Sequence, residues 1–369
     1  MNILYLTNHL NIGGITSYLL TLAAGLKKRG HHIYLASSSG QLQQKFQGAG
    51  VIFIPIPLRT KKEISPKILV SLFKLQSENR KYNFDLIHAH TRTTQVLACL
   101  LSRSLGVPYL ATCHGFFKRR LLRRLFPCWG RRVIAISEEV KEHLIKDFGV
   151  DEKNIVIIYN GIDVGRFRGQ KTEDRGQRKK SLGLGEGPVI GIVARLSDVK
   201  GHLYLIEAMK YILSAVPQAK LFIVGDGREK EALLQQVNKL EISTKVIFHP
   251  EVSDTEDVLS LMDIFVMPSL KEGLGLSLME AMAWGLAVVA SDIGGIRSLV
   301  QDGRNGLLAK PADSRDLAEK ILSLLESREK REMLGRQAEE FIAQNFSQEK
   351  MVLETEREYL ECLKEKYSA

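Results

Sequence analysis

The chain has 369 residues, 44% hydrophobic and 25% charged, a composition that suits two folded domains and excludes disordered and fibrous classes. No stretch reaches the roughly 18 unbroken apolar residues of a bilayer span, and Cys99, Cys113, Cys128 and Cys362 lack metal-ligand or disulfide-framework spacing, so they read as reduced thiols. Charge is lopsided: residues 1–165 carry 23 Lys and Arg against 10 Asp and Glu, residues 166–369 carry 29 against 32, and the net +10 predicts an anionic partner for the first part.

In chain order, NILYLT, HHIYLASS, GVIFIPIP, FDLIHAH, PYLATCHG and RRVIAIS read as buried strands of a parallel sheet. NILYLT has no basic segment before it and reads as a first strand, not a leader. Between strands, ITSYLLTLAAGLKKRG has apolar residues at helical spacing and stops on Gly30; residues 91–106 repeat that design. Polar, Gly-rich residues 160–187 are the candidate linker. The strand pattern then restarts in PVIGIVARL, AKLFIVGDG, KVIFHPEV, DIFVMPS and LAVVASD, and residues 313–369 are charged and helical with no further strand. This alternation predicts an α/β fold of two Rossmann-like, doubly wound domains facing a cleft. Ligands of such sheets sit beyond the carboxyl ends of the strands, where strand order switches.

Three features of the second part converge. VARLSDVKG puts Arg195 and Lys200 on a loop at a strand's carboxyl end, a planar fork and a mobile point charge suited to a diphosphate. FIVGDGRE runs a strand into Gly225-Asp226-Gly227, a turn that permits close backbone approach. KEGLGLSLMEAMAWGLAVVASDIGG places Gly273 and Gly275 before a helix, whose first N–H groups and positive dipole end suit an anion. At about 100° per helical residue, eight residues would set Glu272 and Glu280 about 80° apart, but Glu272 lies in the preceding loop and is freer to aim elsewhere. Carboxylates accept paired hydrogen bonds from vicinal diols, which ribose and hexose both offer. A nucleoside diphosphate sugar has ribose, diphosphate and sugar in one molecule. The plain alternative pairs Glu280 with a buried arginine and leaves Glu272 on the surface.

In this order the motifs resemble the family 4 (group 1) glycosyltransferases, retaining enzymes of GT-B architecture, over nearly the whole chain. The resemblance runs through GGITSYLLTLAAGLKKRGH at 13–31, FDLIHAH at 84–90, HG at 114–115 and NGID at 160–163. It continues in VARLSDVKG, VGDG and PSLKEGLGLSLMEAMAWGLAVVASDIGG at 268–295, where the paired glutamates are its most specific part. It implies an acceptor-binding domain at 1–165, a nucleotide-sugar donor domain at 166–345 and a terminal helix at 346–369 that packs back toward the first domain. It also implies a catalytic set of His114, Arg195, Lys200 and Glu272. Arg195 and Lys200 would hold the donor diphosphate, Glu272 the donor sugar and Glu280 the ribose diol. Backbone at Gly273, Leu274, Gly275 and Leu276 would line sugar and phosphate, with Gly225 allowing close approach. Pro250, Glu251 and Val252 would meet the base. Gly13 and Gly14 would approach the phosphates and His114 the reacting carbon. Leu274 stands where the family usually has an aromatic and Ala287 where it usually has proline, departures that bear on donor-sugar fit.

The reaction so implied transfers a hexose or hexosamine, from a UDP-sugar in preference to a GDP-sugar, to a glycan or lipid-linked acceptor of cell-surface polysaccharide or lipopolysaccharide. No Asp-x-Asp occurs, and His88 and His90 read as the end of a buried strand, so no metal or other cofactor is expected. FFKRRLLRRLFPCWGRR, residues 116–132, holds seven basic residues and no acidic one. Its Phe117, Leu121, Leu122, Leu125, Phe126 and Trp129 recur at helical spacing, interrupted by Pro127, which predicts contact with an anionic membrane. The expected place is cytoplasmic, peripheral at the membrane's cytoplasmic face. A nucleic-acid partner is not expected, since no reader motif is present, and NIGGITS lacks the dinucleotide fingerprint. Two alternatives stand beside the transferase: a sugar-nucleotide epimerase of the same architecture, and a non-catalytic sugar-nucleotide-binding scaffold.

Overall fold

The computed structural model describes every residue except Lys61, Ile64, 120–122, 124–125, 168–173 and 368–369, and side chains up to residue 364. The chain divides into two compact units, Met1–Gly161 with Gln348–Ala369, and Ile162–Ser347. The breaks fall at Gly161/Ile162 and Ser347/Gln348, where the sequence suggests 165/166 and 345/346.

The first unit holds a parallel sheet of β1 (Asn2–His9), β2 (His32–Ser38), β3 (Ile52–Pro55), β4 (Leu86–Ala89), β5 (Tyr109–Cys113), β6 (Val133–Ala135) and β7 (Ile155–Ile157), in the order β3-β2-β1-β4-β5-β6-β7. Its strands are covered on both faces, which is why they read as unbroken apolar runs. Along β1, Ile3 and Tyr5 enter one core cluster while Leu4 and Leu6 enter the other, as the two-residue period of a strand requires. The second unit holds β8 (Val189–Val193), β9 (Lys220–Val224), β10 (Val246–His249), β11 (Ile264–Met267), β12 (Ala287–Ser291) and β13 (Leu307–Ala309), in the order β10-β9-β8-β11-β12-β13. Each sheet reverses its winding once, between β1 and β4 and between β8 and β11. Both units are therefore doubly wound α/β, as the alternation predicts.

The helices carry the local signals expected of them. Ser137 accepts the Val140 N–H to start Glu138–Phe148, which ends on left-handed Gly149. The last helix, Gln348–Tyr367, belongs to the first unit. Gly25 lets it close on the helix Gly14–Lys28, since a Cβ there would stand 2.4 Å from Val352. Glu356 pairs with Arg29 at 2.6 Å and His31 at 2.7 Å, and Tyr359 enters the core.

Several expectations are corrected. β7 and β13, three residues each and at the edges of their sheets, are not among the runs read as strands. The polar stretch 160–187 contains the helix Arg175–Ser181. Its charges are spent internally: Arg175 binds Asp263 at 2.7 Å and the Ser260 carbonyl at 2.8 Å, and Lys179 binds the Gly187 carbonyl at 2.8 Å. In the basic stretch 116–132, Arg123 turns inward to Glu63 at 2.7 Å, and Trp129 is buried against Phe117 and Phe148. Neither is available to a membrane surface, because an acidic partner and an aromatic cluster already hold them. Arg119 pairs with Asp147, and Phe126 is exposed. Leu121, Leu122 and Leu125, three of the proposed apolar stripe, lie outside the described residues.

Candidate functional site

The winding of the second sheet puts the loops after β8 and β11 side by side at its switch point. Arg195 and Lys200 follow β8; Glu272, Gly273, Leu274, Gly275 and Leu276 follow β11. Main chain laces these loops to each other and to the turn after β9. Leu270 N–H donates to the Val199 carbonyl at 2.8 Å and Leu196 N–H to the Asp226 carbonyl at 3.0 Å. Glycine is required where the backbones meet. A Cβ on Gly201, at φ +70°, would lie 1.8 Å from the Pro268 carbonyl oxygen. One on Gly225, at φ +144°, would lie 2.1 Å from that of Ala194.

Arg195 is exposed and has no hydrogen-bond or ionic partner among the described residues. Lys200 is different: its ammonium pairs with the Glu272 carboxylate, to which Ser269 Oγ also donates at 3.5 Å. Sequence reasoning gave these two residues separate roles, and the fold makes them one neutral pair. The helix Leu276–Ala283 starts behind left-handed Gly275, with Gly273, Leu274 and Gly275 buried. Its first N–H groups have no partner within the helix and point along its axis toward the loop. Ser277 Oγ ties this start to the Val193 carbonyl at 2.7 Å.

Glu280, one turn inside that helix, accepts a hydrogen bond from Thr255 Oγ1 at 3.0 Å. Burial raises its pKa to about 7; the Thr255 bond and Arg166 oppose the rise, while Glu256 and Asp254 add to it. Arg166 is held by Glu256 at 2.5 Å and Asp254 at 3.1 Å. Thr255 and Arg166 carry no sequence signal for this role; Thr255 is 25 positions from its partner. Pro250, Glu251 and Val252 follow β10, and the Glu251 N–H donates to Asp226 at 3.3 Å, fixing that segment to the Gly225 turn.

The remaining predicted residues belong to the first unit. Gly13 and Gly14 follow β1, with Gly14 opening the helix Gly14–Lys28, and His114 follows β5. Tyr18 of that helix packs against His114 with ring centroids 4.7 Å apart, so these residues share one end of the first sheet. Burial lowers the His114 pKa to about 3, leaving a neutral imidazole. His88 and His90 are buried, His88 between Tyr359 OH and Thr112 Oγ1, each at 2.7 Å. Among the described residues, no group of three or more His, Cys, Asp or Glu is placed to hold a metal, and no helix is long and apolar enough to cross a membrane.

Comparison with known proteins gives the family and the fold. Residues 12–166 match the family described as Glycosyltransferase Family 4, and residues 174–341 the one described as Glycosyl transferases group 1. An Escherichia coli UDP-Gal:alpha-D-GlcNAc-diphosphoundecaprenol alpha-1,3-galactosyltransferase is 32% identical over 265 residues, 67% of each chain. A Bacillus anthracis N-acetyl-alpha-D-glucosaminyl L-malate synthase is 26% identical over 98% of this chain and 97% of its own. Among solved structures, Anabaena HepE in complex with UDP and glucose superimposes with a TM-score of 0.86 at 24% identity, covering 96% of this chain and 98% of that one.

Proposed function

Since this chain belongs to the family 4 (group 1) glycosyltransferases and has their GT-B fold, we propose that it moves a hexose or hexosamine from a UDP-sugar to a glycan or lipid-linked acceptor. The transfer retains anomeric configuration and uses no metal ion. The observation that carries this reading is the meeting, at one switch point, of two cations, a helix start and two carboxylates. The names of the relatives support the donor and acceptor classes, since one uses UDP-Gal on a diphosphoundecaprenol-linked sugar and HepE is seen with UDP.

The roles follow from chemistry. Arg195 and the helix start at Leu276 meet the diphosphate and stabilise the charge that grows on it as the glycosidic bond breaks. Lys200 exchanges Glu272 for a phosphate oxygen, and the freed Glu272 accepts hydrogen bonds from sugar hydroxyls. Glu280 takes the ribose diol, and the backbone of Pro250–Val252 the base. Gly13 and Gly14 approach the phosphates, and His114 the reacting carbon. The acceptor oxygen attacks the anomeric carbon on the face the phosphate leaves, and its proton passes to the leaving phosphate oxygen, so no enzymic nucleophile is needed. Two cations supply the charge a divalent metal would bring. We place the acceptor in cell-surface polysaccharide or lipopolysaccharide assembly, with the basic first unit against an anionic, cytoplasmic membrane face.

Thermal unfolding with UDP, GDP and ADP, each with and without EDTA, tests the core of this. A ligand at a hundred times its Kd adds roughly 2.7 kcal/mol. Stabilisation by UDP above the others, unchanged by EDTA, is expected; no shift from any nucleotide would move the scaffold reading to the front.

A further inference from the structure

His114 is not free to choose how it presents itself. Its Nε2 lies 3.2 Å from Nδ1 of His90, so one imidazole donates and the other accepts. His114 is partly exposed, and its other nitrogen, Nδ1, has no partner among the described residues. His90 is 2% exposed, and its own second nitrogen, Nε2, is buried without a hydrogen bond. These facts leave two arrangements. If His114 donates, His90 must carry its proton on Nε2 and bury an N–H that bonds to nothing. If His90 donates, the orphan Nε2 is a bare lone pair. Buried orphan donors are the rarer defect. His90 is itself clamped. It packs against His88 with ring centroids 3.9 Å apart and planes tilted by 43°, and His88 is fixed by Tyr359 and Thr112.

We propose that His90 is a positioning residue that holds His114 as its Nδ1–H tautomer, so the open edge of His114 offers a hydrogen-bond donor and not a base. Resting on the function proposed above, this assigns His114 to the oxygens of the donor sugar or its departing phosphate. It excludes His114 from taking the acceptor's proton, which leaves that task to the phosphate oxygen.

Long-range proton–nitrogen NMR of the 15N-histidine protein reads the tautomer directly, with His114→Asn identifying the signals. An Nδ1–H pattern for His114, changed to a tautomer mixture in His90→Phe, is expected; an Nε2–H pattern, or an unchanged pattern in His90→Phe, would overturn the proposal. UDP release from UDP-glucose, UDP-galactose and UDP-N-acetylglucosamine gives a second arm. His114→Asn, whose amide can donate from near the Nδ1 position, should retain at least tenfold more turnover than His114→Gln, whose amide reaches toward Nε2. Equal loss in both would also overturn it. His90→Leu replaces His90→Phe if the latter fails to fold, since its smaller apolar side chain also offers His114 no donor. Wild-type protein that turns over no nucleotide sugar would sink the proposed function and leave the NMR result standing.

Discussion

At Glu280 burial opposes ionisation and the Thr255 hydroxyl favours it, and burial wins, raising the pKa from 4.5 to about 7. The folded chain therefore keeps this proton to higher pH than the unfolded chain does. The resulting stability is complete below 4.5 and is lost as pH rises through about 7. Glu280→Gln should melt above wild type at pH 8 by on the order of 2 kcal/mol, with the gap closing at pH 5. Melts across that range decide it. To accept both hydroxyls of a ribose the carboxyl must be ionised, so UDP affinity should rise roughly tenfold from pH 6 to 8 in wild type. Calorimetric titration of Glu280→Gln should show no such rise. The Lys200–Glu272 pair predicts asymmetric loss. Lys200→Ala removes a phosphate contact and should weaken UDP binding by about 1.5–3 kcal/mol. Glu272→Ala frees Lys200, so UDP binding should hold while transfer falls about 10²-fold. Equal effects on binding and turnover in the two variants would dissolve these assignments.

At the scale of elements, the site depends on loops whose backbones touch. Gly201 and Gly30 are both left-handed, at φ +70° and +85°, yet only Gly201 has a neighbour in the space of a Cβ. Gly30→Ala should cost the 1–2 kcal/mol of backbone strain alone, and Gly201→Ala clearly more, with loss of UDP-dependent stabilisation. Denaturant titration of the two variants separates strain from collision. The same comparison says what was legible. VARLSDVKG and the paired glutamates were readable as a phosphate and diol site because each motif lies within one loop and helix start. Thr255 and Arg166 were not, because they reach Glu280 from other segments of the chain and have no spacing pattern to betray them. The strands β7 and β13 are edge strands outside the runs read from the sequence, whereas β6, equally short, lies inside its sheet in the longer apolar run RRVIAIS.

For the whole molecule, the excess of basic residues in the first part survives folding only in part as open charge. Arg123 is spent on Glu63 and Arg119 pairs with Asp147 at the surface, while Lys118 and Phe126 are exposed. If this face meets a membrane, replacing Lys118, Arg119 and Phe126 with serine should abolish sedimentation with anionic vesicles without lowering UDP-induced stabilisation. Unchanged sedimentation would leave the segment a packed part of the first unit.

By itself the sequence determined the strand–helix alternation, the two doubly wound units and the loops that carry the candidate site, because periodicity and turn chemistry act over a few residues. Only the tertiary structure decided which charges are used and which are free. Lys200 and Glu272 are 72 positions apart, Arg123 and Glu63 are 60, and His90 and His114 are 24. Such partners meet because strand order brings their loops together, and whether a charge is paired, buried or open depends on that meeting and not on the residues beside it in the chain.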